Sequence, residues 1–356
     1  MAADFLIIGG GIAGVSAAAR LAPHGKVVLL EAESHLAHHA SGRSAAMYEP
    51  RYGLAPVVGL SMASGDYFRE AGVLSERGLM IVARADEAEV FNRDIADMEL
   101  PEIPVEQARA LVPILNDQVA RCAMAFNAWD IDTDRLVQSF ARAARSHGTE
   151  IVTSARVSAI SKARAGWQVE TSAGSYSGAV LINAAGAWVD QIAALAGIAP
   201  LGFQPMRRSM ARIPAPGGLD VSGWPMVFGA GETWYAKPDA GALIVSPAEE
   251  QPMEPHDAWA DDMVLAEGLA RYEAMVTEPV TRLLASWAGL RTFSPDRVLV
   301  IGPAPQDPSF FWLGGQGGYG FQSSAAASQL AADLITGQAP SLEAPLIAAL
   351  SPARFT

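Results

Sequence analysis

Apolar residues fall along the chain first in short unbroken runs, then at helical spacing, then in runs again. Residues 5–8 form an apolar run closed by glycines, 12–21 an alanine-rich amphipathic stretch, and 27–30 a second run ending on Glu31. Strand, turn, helix and strand within about 30 residues open a dinucleotide-binding unit. Beyond Gly78 the spacing predicts a strand over 79–83 and helices over 86–98 and 105–111. The clearest amphipathic helix spans 132–146, with Leu136, Val137, Phe140 and Ala144 on one face behind an Asp-Thr-Asp start. Short alternating runs at 151–153, 157–160, 167–170 and 180–183 predict strands, and 186–195 resumes a helix. Residues 203–246 are rich in strand formers and turn residues and predict an antiparallel sheet; 261–275 is a charged helix. A strand at 298–301, a glycine cluster and a helix at 323–335 complete the reading.

The expected fold is therefore α/β: a Rossmann-like nucleotide-binding domain interleaved with an α+β domain built on an antiparallel sheet. The first comprises 1–77, 146–200 and 287–356, and the second 78–145 and 201–286. A length of 356 residues suits two such domains. With 38 acidic against 25 basic side chains the formal net charge is −13, which excludes the basic stripe that nucleic acid requires. The single cysteine, Cys122, excludes an internal disulfide and any multi-cysteine metal site, and fits a reducing, cytoplasmic setting. No apolar run approaches the roughly 18 residues of a membrane span, and the N-terminal stretch lacks the basic flank of a signal peptide, so the chain reads as soluble.

Gly9, Gly11 and Gly14 stand at GxGxxG spacing between the first strand and helix. Gly9 permits the tight turn, Gly11 lets backbone approach a pyrophosphate, and Gly14 allows close packing of helix on strand. The following helix start, at Ile12 and Ala13, offers free N–H groups and a partial positive charge. Glu31 is placed to accept from a ribose diol and disfavours a 2′-phosphate, leaving FAD or NAD.

Two further segments point to FAD: ASGRSAAM at 40–47 and GGQGGYG at 314–320. With HHASGRSAAMYEPRYG, AWDIDTDRL, LINAAGAW, FQPMRRSM, WYAKPDAG and SWAGLRTF, the chain resembles the D-amino acid oxidase superfamily of flavoproteins, nearest the bacterial D-arginine dehydrogenase type. The resemblance implies non-covalent FAD in an extended pose, with Gly9–Gly14 at the pyrophosphate and Glu31 and Ala32 at the ribose. Ser41, Gly42, Arg43, Ser44, Ala45 and Ala46 would run beside the flavin, Val157 near the adenine, and Ala185 and Gly186 along the middle. Gly289, Arg291, Gly315, Gly317, Gly318, Tyr319, Gly320 and Phe321 would face the ring system.

The implied reaction passes a hydride from the Cα of an amino acid to the flavin, giving an imino acid and then a 2-oxo acid and ammonia. Arg291, set between apolar residues, is either a structural ion-pair partner or a bidentate clamp on the substrate carboxylate, and the resemblance favours the clamp. Tyr235 would be a second carboxylate ligand, Arg208 (with Arg207 as its neighbour and competitor) a third contact, and Tyr52 an active-site tyrosine on a mobile loop. Gly318 would present its carbonyl to the amine. Where the D-arginine enzymes carry a histidine and an acid, this chain has Met47 and Leu79, which favours neutral side chains over D-arginine. Rival readings are oxidation of glycine, sarcosine or another N-substituted amino acid, a 2-hydroxy-acid dehydrogenase, and a redox-sensing flavin carrier. The electron acceptor and the choice between monomer and homodimer stay open. His35, His38 and His39 form a helical-spaced group, but no carboxylate stands near them at metal spacing, so no metal is expected. Lys237 shares a strand face with Tyr235 and is expected to be structural.

Overall fold

The β-branched and aliphatic runs become the centres of two sheets in the computed structural model, which describes residues 2–355. Met1 and Thr356, the outer ends of the expected nucleotide-binding domain, lie outside the described residues. In the first sheet the strand Ala3–Ile8 lies between Val27–Leu30 and Gly174–Asn183, parallel to both, with Phe5 opposite Val27 and Val180. Glu150–Val152 extends the sheet beyond Val27–Leu30, while Gly166–Thr171 and Val157–Ala163 add antiparallel strands on the other side. The strand Asp307–Gly314 joins the end of Gly174–Asn183 in parallel, and Val300–Ala304 pairs with it. Fully buried strands read as continuous apolar runs because both faces are covered, the second by helix Val189–Leu195 with Trp167 and Val169. Helices Ile12–Leu21, Thr133–Ser146 and Ser324–Thr336 share one core with that sheet. Leu136, Val137, Phe140 and Ala144 are buried as their spacing predicts, and Asp132 caps their helix by accepting from Arg135 N at 2.9 Å.

The second sheet has the order Gln251–Pro252, Gln204–Pro214, Ala242–Ser246, Tyr235–Asp239, Met226–Gly229, Leu79–Ala83, Arg121–Ala125 and Glu102–Ile103, with Ala285–Phe293 against Gln204–Pro214. It is mixed rather than purely antiparallel. Met226–Gly229 runs parallel to Leu79–Ala83, because the long excursion between them returns the chain in the same direction. A small third sheet joins Met47–Tyr48 and Leu74–Glu76 to Trp129–Ile131.

Two expected boundaries cut through packed structure. Residue 287 falls inside Ala285–Phe293, which pairs from Arg212↔Ala285 to Gln204↔Phe293, so that ladder belongs to the second sheet. Helix Thr133–Ser146 packs on the first sheet's core instead of the second's. The expected 86–98 helix divides into a short 3-10 turn, Ala85–Glu87, and the α-helix Ala88–Asp97. The helix Ala55–Glu70 had no counterpart in the sequence reading: its buried face includes Ser61, Ser64 and Gly65, which blur the apolar period. Among the described residues no helix is long and apolar enough to cross a membrane.

Candidate functional site

A cavity of about 370 Å³ opens where the carboxyl ends of the parallel strands meet the second sheet. One part of its wall is Gly9, Gly11, Ile12 and Ala13, with Glu31, Ala32, Val157, Ala185 and Gly186 beside them. Gly9 has φ +110°, and a Cβ there would come 2.8 Å from the Ala184 carbonyl carbon, so the turn excludes side chains. Gly14 abuts the Gly9 carbonyl and lies outside the cavity, as a packing glycine should. At Gly11 the one atom near an added Cβ is Ser41 Oγ, at 3.1 Å. The helix Ile12–Leu21 starts without a side-chain cap from Gly11; Ile12 N donates to Ser41 Oγ at 3.0 Å. Its first amides face a cavity with room for an anionic bridge. Glu31 is buried, accepting from Gly10 N at 2.6 Å with one oxygen and from Glu33 N at 2.8 Å with the other. Each oxygen keeps a lone pair for a hydroxyl donor. These features fit an extended dinucleotide.

A second part of the wall carries Ser41, Arg43 and Ser44, and a third carries Arg208, Gly289, Arg291, Gly317, Gly318, Gly320 and Phe321. Gly42, Ala45, Ala46, Gly315 and Tyr319 stand behind this surface instead of on it. The Arg291 guanidinium has no protein hydrogen-bond acceptor among the described residues, and a Cβ on Gly318 would sit 3.1 Å from its Nη1. Burial works against its charge, but Tyr235, Tyr52, Glu232 and Tyr319 outweigh that and hold the group more basic than usual. Tyr235 is buried with its hydroxyl unpartnered. Strand alternation decides between the two neighbouring arginines: Arg208 lines the cavity, while Arg207 turns to Asp261, Glu249 and Gln251. Arg208 is buried, its Nε lacks a partner, and Nη2 meets Glu250 at 3.4 Å; Glu250 is also held by Arg297 at 2.8 Å. Burial and the neighbouring Arg291 both lower the Arg208 pKa. Two guanidiniums with open donors thus line the cavity, with the orphaned Tyr235 hydroxyl buried behind it, a donor set that an anion could satisfy.

Tyr52 lies off the cavity wall, its ring 5.4 Å from Tyr319 and 6.4 Å from Phe228, and Gln322 Nε2 donates to its carbonyl at 3.0 Å. Burial and then Glu232 push its hydroxyl well above the usual tyrosine range, and Arg291 opposes them. Glu232 is the residue sequence reasoning missed. It has φ +52°, unusual for a non-glycine residue, in a turn whose Gly231 N donates to Asp94 at 2.6 Å. Met47 and Leu79 also lie off the wall, together in an apolar cluster with Met226, Phe228 and Tyr235.

The histidines do meet carboxylates, against expectation. Glu33, His38 and His39 bring ligand atoms within 4.8 Å of one another, and Asp257 lies 3.6 Å from His39 and 3.9 Å from His38. Both acids come from outside the histidine group, Asp257 by a fold-level approach. Each is also paired with an arginine, Glu33 to Arg156 at 2.9 Å and Asp257 to Arg43 at 2.5 Å. Cys122 is buried in the second sheet's core, where burial pushes its thiol up to about 12, far from any role as a flavin attachment.

The DAO family, FAD dependent oxidoreductase, matches residues 4–334. The chain belongs to that family. Among DAO-family relatives, glycine oxidase of Pseudomonas aeruginosa is 25% identical over 96% of this chain and 97% of its own length. The tRNA 5-methylaminomethyl-2-thiouridine biosynthesis bifunctional protein MnmC of Azoarcus sp. is 28% identical over 98% of this chain, which spans only 59% of that protein. Among solved structures, glycine oxidase from Geobacillus kaustophilus superposes with a TM-score of 0.84 at 22% identity, covering 98% of both chains. L-proline dehydrogenase from P. horikoshii gives 0.84 at 22% identity over 99% of this chain and 98% of its own. The likenesses to solved structures show the fold, and the family match carries FAD dependence. None of the four names a D-arginine enzyme, so the narrower likeness drawn from the sequence is not what the family membership carries.

Proposed function

We propose that this DAO-family oxidoreductase oxidises the Cα–N bond of a small amino acid carrying a neutral side chain, of D configuration where Cα is chiral. The supporting observation is the acceptor-free Arg291 guanidinium on the cavity wall beside Gly318, with the unpartnered Tyr235 hydroxyl among its neighbours. Bound FAD supplies the two-electron acceptor. The chain's own residues then do three things. The wall at Gly9–Ala13 and Glu31 holds the dinucleotide; Arg291, Arg208 and Tyr235 grip the substrate carboxylate and so aim Cα; the Gly318 carbonyl accepts from the amine. The Met47, Leu79, Phe228 cluster stands behind the wall beside Tyr235 and gives that side of the cavity an apolar backing. A Leu- or Phe-sized group gains of order 1.5–3 kcal/mol by burial there, whereas a guanidinium would lose its hydration without a dedicated counter-charge.

A second reading, oxidation of glycine or an N-substituted glycine, draws support from the aromatic crowding of Tyr52, Tyr319, Phe228 and Tyr235, whose neighbouring rings stand 5.4–6.4 Å apart. The similarity to glycine oxidase points the same way. Anaerobic mixing of the FAD-loaded protein with D-, L- and N-methyl amino acids, glycine and 2-hydroxy acids, watching flavin absorbance, tests both. Bleaching by neutral D-amino acids ahead of D-arginine supports the first reading. Bleaching by glycine or sarcosine alone supports the second, and bleaching by hydroxy acids alone sinks both.

A further inference from the structure

Lys237 is one of only three lysines in the chain, and it is buried in the strand Tyr235–Asp239. Its ammonium meets three oxygens: the Ala45 carbonyl, the Ala46 carbonyl at 3.4 Å, and Asp130 Oδ1 at 2.7 Å. Two carbonyls thus accept from the ammonium, and the Asp130 carboxylate forms an ion pair with it. Burial lowers the Lys237 pKa and the Asp130 carboxylate opposes that; Arg77 holds the other Asp130 oxygen at 2.7 Å. A buried ion pair is weak support for stability, since carbon of equal volume serves as well or better. What the ammonium gains here is hold on a particular piece of backbone.

That backbone follows directly on the cavity wall. Ser44 lines the cavity, and Ala46 has φ +32°, a costly conformation for alanine that persists only when its surroundings enforce it. The surroundings are specific: Trp287 Nε1 donates to the Arg43 carbonyl at 3.2 Å, Ile131 N to the Ala46 carbonyl at 3.2 Å, and Lys237 to both alanine carbonyls. Tyr235, two residues before Lys237, projects from the same strand face and belongs to the carboxylate receptor. One strand therefore carries both a substrate ligand and the clamp on the cofactor wall.

We propose that Lys237 is a positioning residue that fixes the Ser44–Met47 turn and so couples the substrate-gripping strand to the wall against which FAD reacts. The proposal rests on the reading of this cavity as an FAD and amino-acid site. The test compares wild type with Lys237→Met, Lys237→Met/Asp130→Asn (which strands no carboxylate), and each combined with Ala46→Gly. Hydrogen exchange is read on peptides covering 43–48 of the FAD-loaded protein, with FAD content and anaerobic flavin reduction alongside.

Lys237→Met should retain FAD and speed exchange in 43–48 by at least about tenfold, with the strand Ala3–Ile8 unchanged. The reduction rate at saturating substrate should fall roughly tenfold to hundredfold, with half-saturation moving less than about twofold. Ala46→Gly, which removes the backbone penalty, should recover much of the lost rate in either background. Unchanged exchange in 43–48, or a rate loss that Ala46→Gly leaves untouched, overturns the proposal. If Lys237→Met does not fold, the double variant decides by the same measurements. If no amino acid reduces the wild-type flavin, the proposed function fails while the exchange comparison still decides the clamp.

Discussion

Replacing Arg291 with alanine removes a cavity-wall guanidinium that has no hydrogen-bond acceptor to lose among the described residues. Among the described residues no carboxylate lies within salt-bridge distance of it, and Glu232, which acts on it from farther away, is only half-buried, so the fold should tolerate the change. The substrate carboxylate, in contrast, forfeits a two-pronged charge-assisted contact of about 1.5–3 kcal/mol per hydrogen bond, or two to four decades in kcat/KM. Arg208 stays on the wall and softens the loss, though its charge is shared through Glu250 with Arg297. Arg291→Lys should recover only part of the rate, because an ammonium offers no planar fork. The assay is anaerobic stopped-flow reduction at varied substrate, with FAD content and Tm measured on the same preparations. A large fall in kcat/KM with FAD content intact is the expected result. An unaltered rate refutes the clamp and makes Arg291 structural; parallel loss of FAD and activity shows that Arg291 serves the cofactor instead.

Gly11→Val should yield folded, colourless protein, since a Cβ already meets Ser41 Oγ at 3.1 Å and the branches enter the cavity; a normal FAD complement contradicts the placement. Leu79→Glu should lower Tm and shift the D-arginine to D-leucine ratio of kcat/KM toward D-arginine, whereas an unchanged ratio removes Leu79 from the side-chain pocket. Asp296 tests acid stability: burial would raise its pKa, but hydrogen bonds from Arg354, Ser294 and Val298 overcome that and hold it down to about 2. A depressed carboxyl stabilises the fold above its ordinary pKa near 3.8 and loses that contribution as pH falls toward 2, so Asp296→Asn should lower Tm at neutral pH and flatten its decline across that window.

The parts of the fold legible in the sequence are those where one short stretch contains its own explanation. The strand–glycine–helix–strand opening needs each of Gly9, Gly11, Gly14 and Glu31 at a fixed step, and the 133–146 helix repeats its apolar face over nearly four turns. Strand partners carry no such local mark. Nothing in the apolar run 79–83 reveals that it lies parallel to 226–229, since every side chain of both strands is buried and any register hides the same carbon. The Ala55–Glu70 helix was silent because serines and a glycine stand where its packing surface needs small residues.

The cavity wall was legible where a charge stands conspicuously among apolar neighbours, as at Arg291, and illegible where residues remote in sequence meet. Arg208 could be told from Arg207 only once the strand's facing was known. Glu232 gave no signal, being one acid in a turn, yet it bears on the substrate question. Judged from Leu79 alone, the pocket lacks an acid; in three dimensions Glu232 stands among the groups that act on Tyr52, Tyr319, Arg208 and Arg291. Its charge does not reinstate a guanidinium site, because it is set against two arginines, Arg291, which has no acid within ion-pair distance among the described residues, and Arg208, which shares Glu250 with Arg297 and also feels Glu249. On the proposed reading a substrate carboxylate completes that balance, while a cationic side chain finds no second acid in the apolar cluster of Met47, Leu79 and Phe228 behind the wall. The electrostatics that make the receptor favour an anion are thus the same that leave its side-chain wall without a partner for a cation.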